Sequence, residues 1–222
     1  MTANQPRVVL FANGELPEPD RVKQTLAADD YFIAVDGGLQ HLMDLNLTPR
    51  LIIGDLDSAK PEDIRRFLSQ GVTVRQYPID KNETDLELAL QAALEQDPGE
   101  VRIVAALGGR LDQTLGNIFL LTQPGLTGVD LRLIDGVQEV FLIRSTATLH
   151  GQPGQRVSLL PLQGEVAGVE TFGLAYPLNN ETLYPDKTRG ISNRMAAPDA
   201  EVRIASGLLL CIHETSEPEE RE

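Results

Sequence analysis

Residues 50–58 read RLIIGDLDS: an apolar run ends at Gly54, and two aspartates follow with one leucine between them. Consecutive apolar positions with no polar alternation mark a strand buried on both faces, as in a parallel sheet covered by helices. The same texture recurs on either side, in RVVLFA (7–12), YFIAVD (31–36), VTVRQY (72–77) and VRIVAAL (101–107). Helical segments separate these runs. One starts at Pro61 and stops before Gly71, the usual proline-early, glycine-late asymmetry. Another is TDLELALQAAL (84–94), where Thr84 and Glu87 form a capping-box pair and Leu86, Ala89, Leu90, Ala93 and Leu94 share a face. A third spans Leu111 to Thr122.

Strands alternating with helices predict a mostly parallel sheet. The expected fold is an α/β N-terminal domain with a Rossmann-like sheet over residues 1–135. Beyond about residue 125 the texture changes. DLRLIDG, EVFLIRS, QRVSLLPL and EVRIASGLLLCIHE are short strand candidates separated by DG and GQPG turn signals. They predict a C-terminal all-β domain over 136–216, a sandwich or a partly closed barrel, followed by a solvated acidic tail at 217–222.

The chain has 222 residues and a formal net charge of −14. Such a charge opposes nucleic-acid binding, which rests on Lys and Arg neutralising phosphates. A nucleotide remains compatible, because a divalent cation can bridge acidic protein to phosphate. No apolar run is long enough for a membrane span, and the first residues, without a basic stretch or a long apolar one, lead us to expect no secretory signal. Cys211 is the sole cysteine and lies in LLLCI, the setting of an inert core thiol. These features predict a cytoplasmic protein. His41, His150 and His213 show no zinc-ligand spacing.

Polar and glycine-rich residues follow each N-terminal strand, at the edge where ligands sit in open α/β sheets. Asp55 and Asp57, two apart on extended chain, point the same way. Two carboxylates about 4 Å apart repel by about 4 kcal/mol at an effective dielectric of 20. A hard divalent cation removes that cost; otherwise Asp57 and Ser58 form a turn or cap. DKNETD (80–85) adds the acids Asp80, Glu83 and Asp85, with Lys81 and Thr84 beside them. Asp85 either serves the helix dipole or becomes a third acid facing Asp55 and Asp57, and Lys81 either pairs with phosphate or is solvated. GGRLDQTLGN (108–117) has the makings of a phosphate cradle: Gly108 and Gly109 admit a close ligand, and Arg110 can grip phosphate with two bonds. Asp112 orients Arg110, holds metal or caps the helix. Asp36, Gly37 and Gly38 form a second phosphate nest or a tight turn. No GxSxG elbow and no paired Cys/His nucleophile occurs, and the lysine ending of a Walker A loop is absent.

In VDGGLQHL, PRLIIGDLDS, DKNETDLELAL, GGRLDQTLGN, and GISN followed by SGLLL, the chain resembles the thiamine pyrophosphokinase family across nearly its whole length. The resemblance implies transfer of the β,γ-diphosphate of ATP to the hydroxyl of thiamine, leaving AMP. It implies a homodimer with sites between subunits. It implies Asp55, Asp57 and Asp85 as ligands of Mg²⁺, with Arg110 and Asp112 near the phosphates. Asp36, Gly37, Gly38, Ser58, Lys81, Thr84, Gly108, Gly109 and Gln113 are nucleotide-binding candidates. Ser192 and Asn193 of GISN fall near the thiamine ring. Two departures stand out: Gln113 replaces a frequent histidine, and Asn82 a frequent aspartate. The chain has no tryptophan, so any aromatic partner of thiamine is Tyr or Phe. Competing readings are a diphosphokinase for another hydroxymethyl heterocycle such as a pterin, a phosphohydrolase with an aspartyl nucleophile in DLDS, and a non-catalytic nucleotide sensor.

Overall fold

The computed structural model describes residues 5–216. The expected acidic tail, 217–222, lies outside them. Two compact units divide between Gly136 and Val137.

The first unit is built on β1 (Arg7–Phe11), β2 (Tyr31–Val35), β3 (Leu51–Gly54), β4 (Thr73–Gln76), β5 (Glu100–Val104) and β6 (Asp130–Ile134). They lie in the order β6-β5-β1-β2-β3-β4, every pair parallel. Val8 to Phe11 are completely buried, as an apolar run in a central strand requires. DLRLIDG, which belongs to the β-rich texture by sequence, supplies β6 and pairs in parallel with β5 from Glu100↔Asp130 to Val104↔Ile134.

Five helices connect the strands: α1 (Pro19–Gln24), α2 (Gly38–Asp44), α3 (Pro61–Ser69), α4 (Asp85–Leu94) and α5 (Leu111–Leu120). At α4 the Thr84 hydroxyl accepts the Glu87 N–H at 3.2 Å, which is the expected cap. Leu39 and Leu42 of α2 and Phe67 of α3 pack with Val9, Phe11, Phe32, Ala34 and Ile52 in one apolar cluster. At the start of β1, Arg7 grips the buried Asp30 with two 2.7 Å bonds, so that carboxylate is not left unpaired.

The chain order of the strands runs outward from β1 to β4, then returns to the other side of β1 for β5 and β6. The reversal between β1 and β5 opens a crevice at their carboxyl ends, the ligand position of open α/β sheets.

The second unit contains β7 (Gln138–Ile143), β8 (Thr146–His150), β9 (Arg156–Pro161), β10 (Val166–Phe172), β11 (Glu181–Leu183), β12 (Asn193–Arg194), β13 (Asp199–Arg203) and β14 (Leu209–Glu214). They form two antiparallel arrays, β12-β9-β14-β7 and β11-β10-β13-β8. Phe141, Val157, Leu159, Leu209 and Cys211 from the first share a core with Leu149, Val166, Val169, Leu183 and Val202 from the second. This is a β-sandwich, with the lone cysteine fully buried in its core.

A candidate metal and nucleotide site

The crevice of the first unit is a cavity of about 710 Å³. Its walls come from the ends of β1, β2, β3 and β5 and from the segment leading into α4. Of the candidates, it gathers Asp36, Asp55, Lys81, Thr84, Asp85, Gly108, Gly109, Arg110 and Gln113. Asp57 and Ser58 are exposed in the turn that follows Asp55.

Three carboxylates converge. Asp36, Asp55 and Asp57 each offer an oxygen within 4.8 Å of the others. Local folding brings them there. Gly54 has φ +149°, and a Cβ on it would stand 3.1 Å from the Asp36 Cβ. Its missing side chain lets the turns after β2 and β3 close on each other. The Asp36 N–H is fixed to the Ile53 carbonyl at 2.8 Å. Asp55 Oδ1 accepts the Asp57 N–H at 3.0 Å, Ser58 donates its hydroxyl to Asp57 Oδ1 at 3.0 Å, and Gln76 donates to the Asp55 carbonyl at 3.1 Å.

Burial raises the Asp36 carboxyl above the usual carboxylate range, and the charges of Asp55 and Asp57 add to the effect, against hydrogen bonds from Gly37 and Ser58 that lower it. Asp36 Oδ1 is shut off from solvent and makes no hydrogen bond among the described residues. An orphaned, desolvated carboxylate oxygen beside two further carboxylates fits a hard cation with oxygen ligands.

Asp85, expected with Asp55 and Asp57, lies on the cavity wall outside this trio, 3.0 Å from the Lys81 ammonium. Asp36, expected in a phosphate nest, is the third member instead. Gly38 has a packing role: a Cβ there would collide with the Phe11 carbonyl oxygen, so its hydrogen lets α2 begin against the end of β1. This favours the tight-turn reading of Asp36-Gly37-Gly38.

Gly108 and Gly109 have φ of +80° and +62° and carry the exposed loop between β5 and α5. Two side chains from α5 tie that loop down. Thr114 donates to the Gly108 carbonyl at 2.9 Å, and Asn117 to the Ala106 carbonyl at 2.8 Å. Neither stands among the sequence candidates; their signal is polar i, i+3 spacing on a helix that follows a glycine pair. Asp112 orients Arg110, with bonds of 3.2 Å from Nε and 2.6 Å from Nη2. Asn13 and Glu15, after β1, complete the wall.

In the second unit Ser192 is exposed at φ +59°, and its N–H donates to Ser158 Oγ at 3.1 Å. Asn193 is only 4% exposed. Its Oδ1 accepts the N–H groups of Tyr176 and Arg194, and its Nδ2 donates to the Tyr176 carbonyl. All of these bonds go to main chain, so Asn193 shapes the loop that presents Tyr176 rather than offering its amide to a ligand. Tyr176, Tyr184 and Ile191 are exposed on this unit.

Among the described residues, no helix is long and apolar enough to cross a membrane.

Comparison with known proteins agrees with this partition. Residues 22–133 match the family model described as thiamin pyrophosphokinase, catalytic domain, and residues 146–209 match thiamin pyrophosphokinase, vitamin B1 binding domain. A thiamine pyrophosphokinase of Bacillus subtilis is 32% identical over 186 residues, covering 83% of this chain and 87% of that protein. The crystal structure of thiamine pyrophosphokinase from Bacillus subtilis superimposes with a TM-score of 0.84 at 28% identity, over 95% of this chain and 100% of that one. A thiamin pyrophosphokinase family protein from Enterococcus faecalis gives 0.78 at 29%, over 95% and 100%. With both domain models matched in order over a parallel-sheet unit and a β-sandwich, the chain belongs to the thiamin pyrophosphokinase family.

Proposed function

We propose that this chain transfers the β,γ-diphosphate of ATP to the hydroxyl of thiamine, giving thiamine diphosphate and AMP. The observation that carries the reading is the Asp36/Asp55/Asp57 trio, with its orphaned oxygen, in the crevice that also holds the Gly108-Gly109 loop and Arg110. The thiamine hydroxyl oxygen bonds to the β-phosphorus as the bond from that phosphorus to the bridging oxygen of AMP breaks. The hydroxyl proton passes to a carboxylate of the site or to solvent.

Asp36, Asp55 and Asp57 would hold a divalent cation, taken to be Mg²⁺, and Asp85 faces the same cavity. Such an ion supplies charge neutralisation for the triphosphate. Arg110, held by Asp112, offers its remaining guanidinium hydrogens to phosphate oxygens. The Gly108-Gly109 loop, fixed by Thr114 and Asn117, brings backbone close to the phosphates. Thr84 and Gln113 line the same wall. In the β-sandwich unit, exposed Tyr176 and Ser192 are the groups offered to the thiamine ring.

A homodimer goes with this reading. Helix α5 buries none of its residues, and Leu111, Leu115 and Phe119, spaced i, i+4, i+8, are 71%, 46% and 52% exposed. An apolar stripe of this kind suits a second copy of the chain. The reaction's need for ATP goes with a cytoplasmic setting.

Incubation with Mg-ATP and thiamine, followed by mass analysis, tests the reading. Thiamine diphosphate with AMP is the expected pair. ADP as the nucleotide product, or free phosphate without acceptor, would overturn it. AMP release with a pterin alcohol but not with thiamine would move the acceptor.

A further inference from the structure

Lys81 stands in an unexpected place. It precedes the N-terminus of α4, where the helix dipole disfavours a cation. Its side chain is nonetheless only 12% exposed, and its ammonium lies 3.0 Å from Asp85 Oδ1 and donates to the Pro78 carbonyl at 3.1 Å. Asp85 Oδ1 is itself closed to solvent and accepts no hydrogen bond among the described residues, so its contact with the ammonium is an ion pair. The ammonium is therefore what balances that oxygen. Both residues line the cavity, yet Asp85 is absent from the carboxylate trio.

We propose that Lys81 is a latch on Asp85: the ammonium occupies Asp85 while the cavity is empty and leaves it for an entering polyphosphate, exposing Asp85 to cations only in the nucleotide complex. This rests on the metal-nucleotide reading of the cavity and deepens it. A polyphosphate competes well for the ammonium because it carries several charges and lies at the favourable end of the helix dipole. Once released, Asp85 is an oxygen ligand without a counter-ion, and a divalent cation brought in with the phosphates takes that role. The latch keeps an unfilled site from presenting four acids at once, and it couples metal and nucleotide binding through one side chain.

The test is Mn²⁺ binding followed by electron paramagnetic resonance, with and without α,β-methylene ATP, whose carbon bridge blocks loss of AMP. Wild type, Asp85→Asn, Lys81→Met, Lys81→Arg and Asp57→Asn are compared, with folding checked by circular dichroism. Without nucleotide, Asp85→Asn binds Mn²⁺ within about twofold of wild type, whereas Lys81→Met binds it about threefold more tightly or better, since a carboxylate has been freed. With the analogue, Asp85→Asn loses about tenfold in Mn²⁺ affinity, and Lys81→Met loses about tenfold in affinity for the analogue while Lys81→Arg keeps most of it. If Asp85→Asn weakens Mn²⁺ without nucleotide as much as Asp57→Asn does, Asp85 is an unlatched ligand and the proposal fails. If Asp85→Asn has no effect in either state, Asp85 serves only as a counter-ion, and it fails again. Failure of the underlying reading looks different: wild type and Asp57→Asn would then bind Mn²⁺ equally poorly in both states.

Discussion

Asn193 holds Tyr176 by both ends of its main chain: Oδ1 accepts the tyrosine N–H at 3.0 Å, and Nδ2 donates to the tyrosine carbonyl at 2.6 Å. The amide is buried, so removing it strands buried polar groups, at a cost of about 1–3 kcal/mol. Asn193→Ala is expected to lower the melting temperature and to raise the KM for thiamine while leaving the KM for ATP near its original value. Tyr176→Ala should reproduce the thiamine effect with little loss of stability, because its ring is exposed. Steady-state kinetics with each substrate varied in turn check both. A change in ATP KM equal to that in thiamine KM would place the loop's role elsewhere.

Asp57→Asn removes one charge from the trio without changing shape. The residue is exposed, and the Ser58 hydroxyl that donates to it can also bond an amide oxygen. Folding should be unaffected. Transfer should fall by about two orders of magnitude or more, as when a main electrostatic element of a transition state is lost. AMP formation with thiamine measures it, and near-normal turnover would remove Asp57 from the site.

Asp36 predicts a stability effect of unusual sign. Its carboxyl is raised above the ordinary range by burial and by Asp55 and Asp57. A raised carboxylate gives the folded state more bound protons than the unfolded one between the unfolded and folded titration points. Stability contributed by this group is therefore present at low pH and lost as pH rises through the folded value. Above that folded value the metal-free protein carries the cost of an ionised, half-buried carboxylate, and Asp36→Asn relieves it. The variant should melt a few degrees higher without divalent cation and should gain less than wild type when Mg²⁺ is added. Calorimetry with and without Mg²⁺ separates the two effects; a lower metal-free melting temperature for Asp36→Asn would contradict the account.

The parallel sheet was legible from RLIIGDLDS and its neighbours because strands buried on both faces are apolar throughout. The starts of α3 and α4 were legible because Pro61, at the first helical position, and Thr84, at the cap, act locally. Much of the second array of the β-sandwich was not. VAGVETF and TATLH, in β10 and β8, carry glycine or alternating polar residues and take their strand form from pairing with distant β13. EVRIASGLLLCIHE reads as one run, yet Ser206-Gly207, with Gly207 at φ +101°, breaks it into β13 and β14 on different arrays. The membership of Asp36 in the trio was hidden for the same reason. It depends on how closely two turns approach, which Gly54 permits but no spacing announces.

Two glycines should respond in opposite directions to the same substitution. A Cβ at Gly38 would run into the Phe11 backbone carbonyl oxygen, which cannot rotate away. Either α2 moves off β1 or the strand end shifts, and both displace the turn that carries Asp36. Overpacking of this kind costs about 1–3 kcal/mol or more, so Gly38→Ala should lower the denaturation midpoint and also weaken Mg²⁺ binding. Gly116 lies inside α5, and a Cβ added to it would meet nothing within 4 Å. There alanine has only the backbone entropy of glycine to remove, worth about 1 kcal/mol in a helix interior. Gly116→Ala should therefore raise the midpoint and leave Mg²⁺ affinity unchanged. Urea denaturation of the two variants beside wild type reads the sign directly, and a stabilising Gly38→Ala would mean that the contact between α2 and β1 is looser than its geometry indicates.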